Sequence, residues 1–107
     1  YSADSVEYAL AKLLYELIKE NNPKLKPPNM DNWCGYVDKM IRIDKRSAED
    51  IEAVIRWSQQ DDFWHKNILS TDKLRKQFDK LYIAMPKSKK VIPFGKKGAD
   101  EDGWSYM

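Results

Sequence analysis

Apolar residues recur at helical spacing in four successive segments of this chain, and in none do they alternate with polar residues as a half-buried strand requires. Val6, Leu10, Leu13, Leu14, Leu17 and Ile18 mark the first, from Asp4 to Asn21. Trp33, Val37, Met40 and Ile41 mark the second, which begins near Asn29 or Met30 and runs to about Ile43. Ile51, Val54, Ile55 and Ser58 line the third, and Leu74, Phe78, Leu81 and Tyr82 the last, from Asp72 to Met85. Between these two, Phe63-Trp64 and Ile68-Leu69 form a dense apolar group that fits a short helix or turn. The pattern predicts an all-α fold, a compact bundle of four to five helices followed by an extended C-terminal tail.

The punctuation agrees. Asp4 followed by Glu7 fits a capping box, in which each side chain satisfies a backbone N–H of the first turn. Asn21-Asn22-Pro23 stops the first helix, because proline disfavours helical geometry in the residue before it. Gly35 weakens the second helix by roughly 1 kcal/mol relative to alanine, and close approach of another helix or local unwinding would explain it. Asp44-Lys45-Arg46 is a polar break. Ser47 then reads as an N-cap, with Glu49, Asp50 and Glu52 near the positive end of the helix dipole. Gln60-Asp61-Asp62 interrupts or kinks this helix, Ser70 or Thr71 caps the last one, and Pro86 ends it.

The chain has 107 residues, 42% hydrophobic and 34% charged, which is the size and composition of one ordinary folded domain. Residues 1–85 are expected to form it. Residues 86–107, Lys-rich and then acidic, are expected to be flexible or docked on a partner. No apolar run approaches the roughly 18–20 residues of a membrane span, and the N-terminus has no signal-peptide character. It also lacks an initiator methionine, which suggests a fragment of a longer protein. Cys34, the single cysteine, fits a reduced, cytoplasmic setting. Charge is unevenly laid out: residues 1–85 hold 14 Lys/Arg against 14 Asp/Glu, and the tail holds five lysines against three acids. A neutral domain is not an obvious nucleic-acid binder, since phosphate affinity comes from cations that displace counterions.

Catalytic chemistry is poorly supplied. Cys34 and His65 make a nucleophile pair on paper, but Cys34 lies in an apolar stripe and His65 in an aromatic cluster. One Cys and one His are too few for a zinc site, and there is no Gly-rich phosphate loop. No enzyme activity, cofactor or metal is expected. Trp33 and Trp64 read as core, whereas Trp57 falls off the Ile51/Val54/Ile55 stripe, at a surface or boundary. Lys73, Lys76 and Lys80 share one face of the last helix. They are either a solvated face balanced by Asp72 and Asp79 or a contact with a phosphate backbone. A helix-turn-helix from the last two helices is conceivable, although the connector lacks the glycine frequent in that turn.

Many separate words then combine. They are Asn22-Pro23, Pro28-Asn29 with Trp33, Met40-Ile41-Arg42-Ile43-Asp44-Lys45-Arg46, and Val54-Ile55-Arg56-Trp57. Asp62-Phe63-Trp64 with Asn67-Ile68-Leu69-Ser70, Lys73-Leu74-Arg75 and Phe78-Asp79-Lys80-Leu81 follow. Together they resemble the C-terminal region of replication proteins from phages and prophages of Gram-positive bacteria, the replisome organisers or DnaD-like initiators. The resemblance implies a part in phage or prophage DNA replication in the cytoplasm of a bacterial host. It also implies contact with a helicase loader or the replicative helicase, or added DNA affinity. Such proteins usually carry an N-terminal winged-helix domain, absent here. The Tyr-x-x-x-Ile-x-x-x-Trp spacing of DnaD-type domains is also absent, so no DNA-binding residues carry over.

The leading expectation is a protein-interaction module, since interface cores favour the Trp, Tyr, Phe, Met and Arg that abound here. Arg56, Trp57, Trp104 and Tyr106 are its candidate partner-binding residues. The alternative is direct DNA binding through Lys73, Lys76, Lys80, Lys87, Lys89 and Lys90. A third reading is an oligomerisation module.

Overall fold

The computed structural model describes residues 2–86; Trp104, Tyr106, Lys87, Lys89 and Lys90 lie outside them. The described part is all-helical: α1 (Val6–Asn21), α2 (Met30–Arg42), α3 (Ala48–Gln60), a 3-10 turn (Trp64–Lys66) and α4 (Thr71–Ala84). Each α-helix opens on an extended residue whose side-chain oxygen accepts a backbone N–H of the first turn. Asn29 accepts from Asn32 at 3.1 Å, Ser47 from Asp50 at 3.0 Å and Ser70 from Lys73 at 3.1 Å. At α1 the cap is Ser5, one residue later than the Asp4 capping box: Ser5 Oγ accepts from Tyr8 N at 3.1 Å. Val6 thereby becomes the first helical residue and is 50% exposed rather than inward.

α1 packs on both α2 and α3, and α4 packs on both α2 and α3, so the helices follow one another around the bundle in the order α1, α2, α4, α3. Leu14 and Ile18 of α1, Val37 and Met40 of α2, Ile51, Val54 and Ile55 of α3, and Leu74 and Leu81 of α4 meet in the centre. Ile68 of the α3–α4 connector and Met85 close its ends. Trp33, Trp57 and Trp64 pack half-buried against this core. Gly35 sits in an uninterrupted α2, and a Cβ added there would meet nothing within 4 Å; neither close approach nor unwinding accounts for it. The α3–α4 connection spans residues 61–70 with its own 3-10 turn, longer than the tight turn of a helix-turn-helix.

Polar ties lock neighbouring helices. Thr71 Oγ1 donates to the Trp33 carbonyl at 2.9 Å, joining α4 to α2. Gln59 Nε2 donates to the Ile68 carbonyl at 2.9 Å. The loop after α2 turns through Lys45, at φ 59°. There Asp44 pairs with Arg75, and Arg46 with Asp79 at 2.8 Å, the Arg46 guanidinium lying 4.5 Å over the Phe78 ring.

Candidate functional site

The Cys/His pair has no catalytic setting. Cys34 is fully buried in the core, and desolvation pushes its thiol pKa up, which opposes the thiolate that nucleophilic chemistry needs. His65 leaves the aromatic cluster to Phe63 and Trp64, whose rings meet edge to face at 4.9 Å. Its Nδ1 instead lies 2.8 Å from the Asp61 carbonyl. A carbonyl oxygen only accepts, so Nδ1 is the donor in this contact. Among the described residues no group of three or more His, Cys, Asp or Glu side chains is placed to hold a metal ion. None of their helices is long and apolar enough to cross a membrane.

Surface features are better developed. A groove of about 550 Å³ runs between α1 and α3. Tyr8 and Leu13 supply apolar lining, and Lys12, Glu16, Glu52 and Arg56 supply charge. Arg56 projects from α3 and pairs with Glu52 at 2.9 Å, with both side chains about half exposed. An exposed i,i+4 pair is worth only about 0.3–0.5 kcal/mol, so it exchanges readily for a partner's charges. Trp57, the neighbour of Arg56, packs half-buried against the core. The two candidates on α3 thus have different surroundings: Arg56 is presented and Trp57 supports. The sequence signal for the rest of this groove was available in two i,i+4 rows, Lys12 with Glu16 on α1 and Glu52 with Arg56 on α3.

A second, polar cleft of about 390 Å³ opens where α1 and α3 end, lined by Leu17, Glu20, Asn21, Gln59, Gln60, Asp62 and His65. Asn21 Nδ2 donates to the Gln59 carbonyl at 3.4 Å across it. The residues of this cleft come from three elements, and no local spacing announced them.

On the opposite side, Lys73, Lys76 and Lys80 are all exposed along α4. Lys76 Nζ lies 3.4 Å from Asp72, while Lys73 and Lys80 have no ion pair among the described residues. The neutrality of the domain conceals a division between its two sides. α1 and α3 carry six carboxylates against three cations, and α2 and α4 carry four carboxylates against six cations. Two of the loops sharpen it, Asp61 and Asp62 with Lys66 on one side, Lys45 and Arg46 with Asp44 on the other, while the α1–α2 connection adds Lys24 and Lys26. Because α1 and α3 are neighbours, as are α2 and α4, the bundle has an acidic half and a basic half.

A helical bundle with surface clefts and divided charge leaves the family open, and comparison with known proteins decides it. Residues 9–88 match the family described as phage replication protein O, C-terminal domain. The chain belongs to that family. Replication protein 15 of Enterobacteria phage phi80 is 44% identical over 80 residues, which is 75% of this chain and 26% of that protein. Replication protein O of Escherichia phage lambda is 30% identical over 98 residues, 90% of this chain and 29% of the lambda protein. Protein YfdO of Escherichia coli K12 is 29% identical, over 88% of this chain and 84% of YfdO. The chain thus spans between a quarter and a third of the two phage proteins. No solved structure matches it. The protein O family carries the tie to phage DNA replication that the sequence resemblance implied. Its relatives here are enterobacterial, and the Gram-positive, DnaD-like part of that resemblance has no counterpart among them.

Proposed function

We propose that this domain is the protein-recruiting module of a phage or prophage replication initiator, and that it delivers a helicase loader or the replicative helicase to the origin. The observation that carries the proposal is the α1–α3 groove: apolar lining, a rim of both charge signs, and Arg56 held only by an exposed pair that a partner can replace. The mechanism is tethering. A separate part of the initiator holds the origin, and the groove raises the local concentration of the loader or helicase there, gaining avidity without any new contact at the DNA. Family membership supports the setting, a part in phage DNA replication. The test is calorimetric titration of the chain with the loader of the same phage and with the host replicative helicase, beside Arg56→Glu and Leu13→Asp. Binding by the parent that both substitutions weaken supports the groove. Binding by neither protein overturns the reading.

A second reading rests on the separated charge. The basic half formed by α2 and α4, with Lys73 and Lys80 in no ion pair among the described residues, supplies the local patch that overall neutrality conceals, and it contacts nucleic acid through the phosphate backbone. The two readings use different sides of the bundle, so anisotropy titrations of labelled DNA test this one without reference to the groove.

A further inference from the structure

We propose that the α3–α4 connector is a preformed apolar plug, which seats Phe63 and Leu69 in an apolar cleft of a protein partner, a cleft rimmed by lysine or arginine. This rests on the reading of the domain as a protein-recruiting module and adds a contact outside the α1–α3 groove.

The connector uses its polar groups to hold its own shape. Asp61 Oδ2 accepts from the backbone N–H of Phe63 at 3.1 Å and from that of Trp64 at 3.0 Å. The Asp61 carbonyl accepts from His65 N at 3.1 Å and from the His65 ring Nδ1 at 2.8 Å. Asn67 Nδ2 donates to the Phe63 carbonyl at 2.7 Å, across the 3-10 turn. Ile68 anchors the far side: it is fully buried, and its carbonyl accepts from Gln59 Nε2 at 2.9 Å. Despite these ties, Phe63 is 60% exposed and Leu69 52%. The Phe63 ring stands edge to face on Trp64 at 4.9 Å, and Trp64 packs against the core, so the exposed ring has a fixed base. A single exposed apolar side chain is ordinary. Here two flank one turn whose backbone is held from within and from the core.

What covers them follows from preorganisation and charge. An aromatic ring already held in place loses little freedom on binding, and its gain comes from an apolar receiving cleft that excludes water. The rim of that cleft is set by the surroundings. Asp62, next to Phe63, is exposed, and the 3-10 turn packs on α3, on the acidic half of the bundle. Cations around the receiving cleft complement this field and steer the encounter. The same field disfavours other occupants. Nucleic acid and anionic lipid surfaces are held by clustered cations, and the connector supplies one lysine, Lys66. A two-fold contact between copies, centred on the plug, sets Asp62 and its acidic surroundings against themselves.

The experiment is calorimetric titration of the full chain with the helicase loader of the same phage and with the host replicative helicase. Phe63→Ser/Leu69→Ser, Asp62→Asn and Arg56→Glu are run beside the parent, at low and at physiological salt. Both serines replace exposed side chains, and a cooperative melt reports that the fold is kept. The plug predicts that the double variant weakens binding by about ten- to thirtyfold, since each side chain has about half of its surface left to bury. Asp62→Asn weakens it by about two- to fivefold at low salt and by less at physiological salt. A second measurement does not depend on how the serine variant folds: the photo-reactive Phe63→p-benzoylphenylalanine cross-links to an apolar segment of the partner flanked by lysine or arginine. Failure to cross-link where the parent binds overturns the plug, as does a cross-linked segment without apolar residues. Binding that Arg56→Glu weakens and the double variant leaves unchanged overturns the plug and leaves the recruiting module standing. Binding of neither protein by the parent overturns the module and the plug together. Sedimentation of the chain alone tests the remaining occupant: self-association that the double variant abolishes assigns the connector to a second copy and overturns the proposal.

Discussion

Arg75 reaches from α4 to Asp44 in the loop after α2 with two parallel hydrogen bonds, Nε to Oδ2 at 2.8 Å and Nη2 to Oδ1 at 3.0 Å. Each side chain is less than a third exposed. The geometry is the fork that makes an arginine–carboxylate pair directional rather than merely attractive. It fixes the α2–α3 turn against α4 at the point where Lys45 adopts its left-handed conformation.

That pair gives the domain an acid limb. The hydrogen bonds from Arg75, and after them its charge, hold the Asp44 pKa below its usual value against the opposing effect of burial. A carboxyl whose folded pKa lies below its unfolded value of about 3.9 stabilises the fold at neutral pH, and loses that contribution as pH falls through the folded value. Urea midpoints compared at about pH 7 and about pH 3 should therefore fall more for the parent than for Asp44→Asn. An equal fall in both would remove Asp44 from the acid response. Arg75→Lys, which keeps the charge and loses the fork, should lie between the parent and Arg75→Ala at neutral pH.

Gly35 should be replaceable at a profit to stability. It occupies the interior of α2 with helical neighbours on both sides, and apart from its chain neighbours and the helix's own backbone nothing lies within 4 Å of the position a Cβ would take. Glycine there costs roughly 0.5–1 kcal/mol relative to alanine through the freedom it has in the unfolded chain. Gly35→Ala is expected to raise the melting temperature by roughly 2–8 °C, given about 4–8 °C per kcal/mol in a domain of this size. A lowered melting temperature would mean that the residue serves a contact with something outside this chain, for Gly35 also lines a shallow cleft with Asp31, Tyr36 and Lys39.

Thr71 carries a tertiary role that its position at a helix start disguises. Ser70 is the cap of α4, and Thr71 is fully buried with its hydroxyl donating to the Trp33 carbonyl on α2. Thr71→Val keeps the shape and removes the donor, so it should cost about 1–2 kcal/mol by chemical denaturation. Ser70→Ala should cost about 1 kcal/mol by a different route, loss of the first-turn cap. A double variant should be close to additive if the two act separately.

The sequence and the structure part company at particular residues. Helical periodicity, the Ser47 cap and the choice of Ser70 or Thr71 as the last cap are local signals, and they located the elements to within a residue or two. Ser5 displaced Asp4 as the first cap because two neighbouring residues both have capping side chains and the pattern ranks them equally. Cys34 is buried as its place in an apolar stripe implied, whereas Ala11 is buried without having been read as core, because so small a side chain leaves little mark on such a stripe. The division into acidic and basic halves was legible in composition only once the packing order of the helices was known. A neutral sum over residues 1–85 says nothing about which helices stand side by side. The cleft around Gln59 depends on three elements that meet only in the fold, so no spacing could have announced it.

The basic half makes the sharpest functional prediction. Lys73 and Lys80 stand two turns apart on the exposed side of α4, without an ion pair among the described residues, whereas Lys76 already faces Asp72 at 3.4 Å. If this side contacts DNA, each of the two unpaired lysines releases a counterion on binding. Lys73→Gln/Lys80→Gln should then weaken binding at about 0.1 M salt and lower the slope of log affinity against log salt by about 1.8 on duplex, or about 1.4 on a single strand. Lys76→Gln should change the slope by less, because its charge is partly neutralised in the free protein. Arg56→Ala, on the acidic half, should leave DNA affinity within about twofold while it weakens a groove-bound protein partner. Fluorescence anisotropy at four or five salt concentrations measures all of these at once. A slope unchanged in the double variant would remove α4 from the DNA contact, and a slope lost only when residues 87–107 are removed would assign the phosphates to Lys87, Lys89 and Lys90.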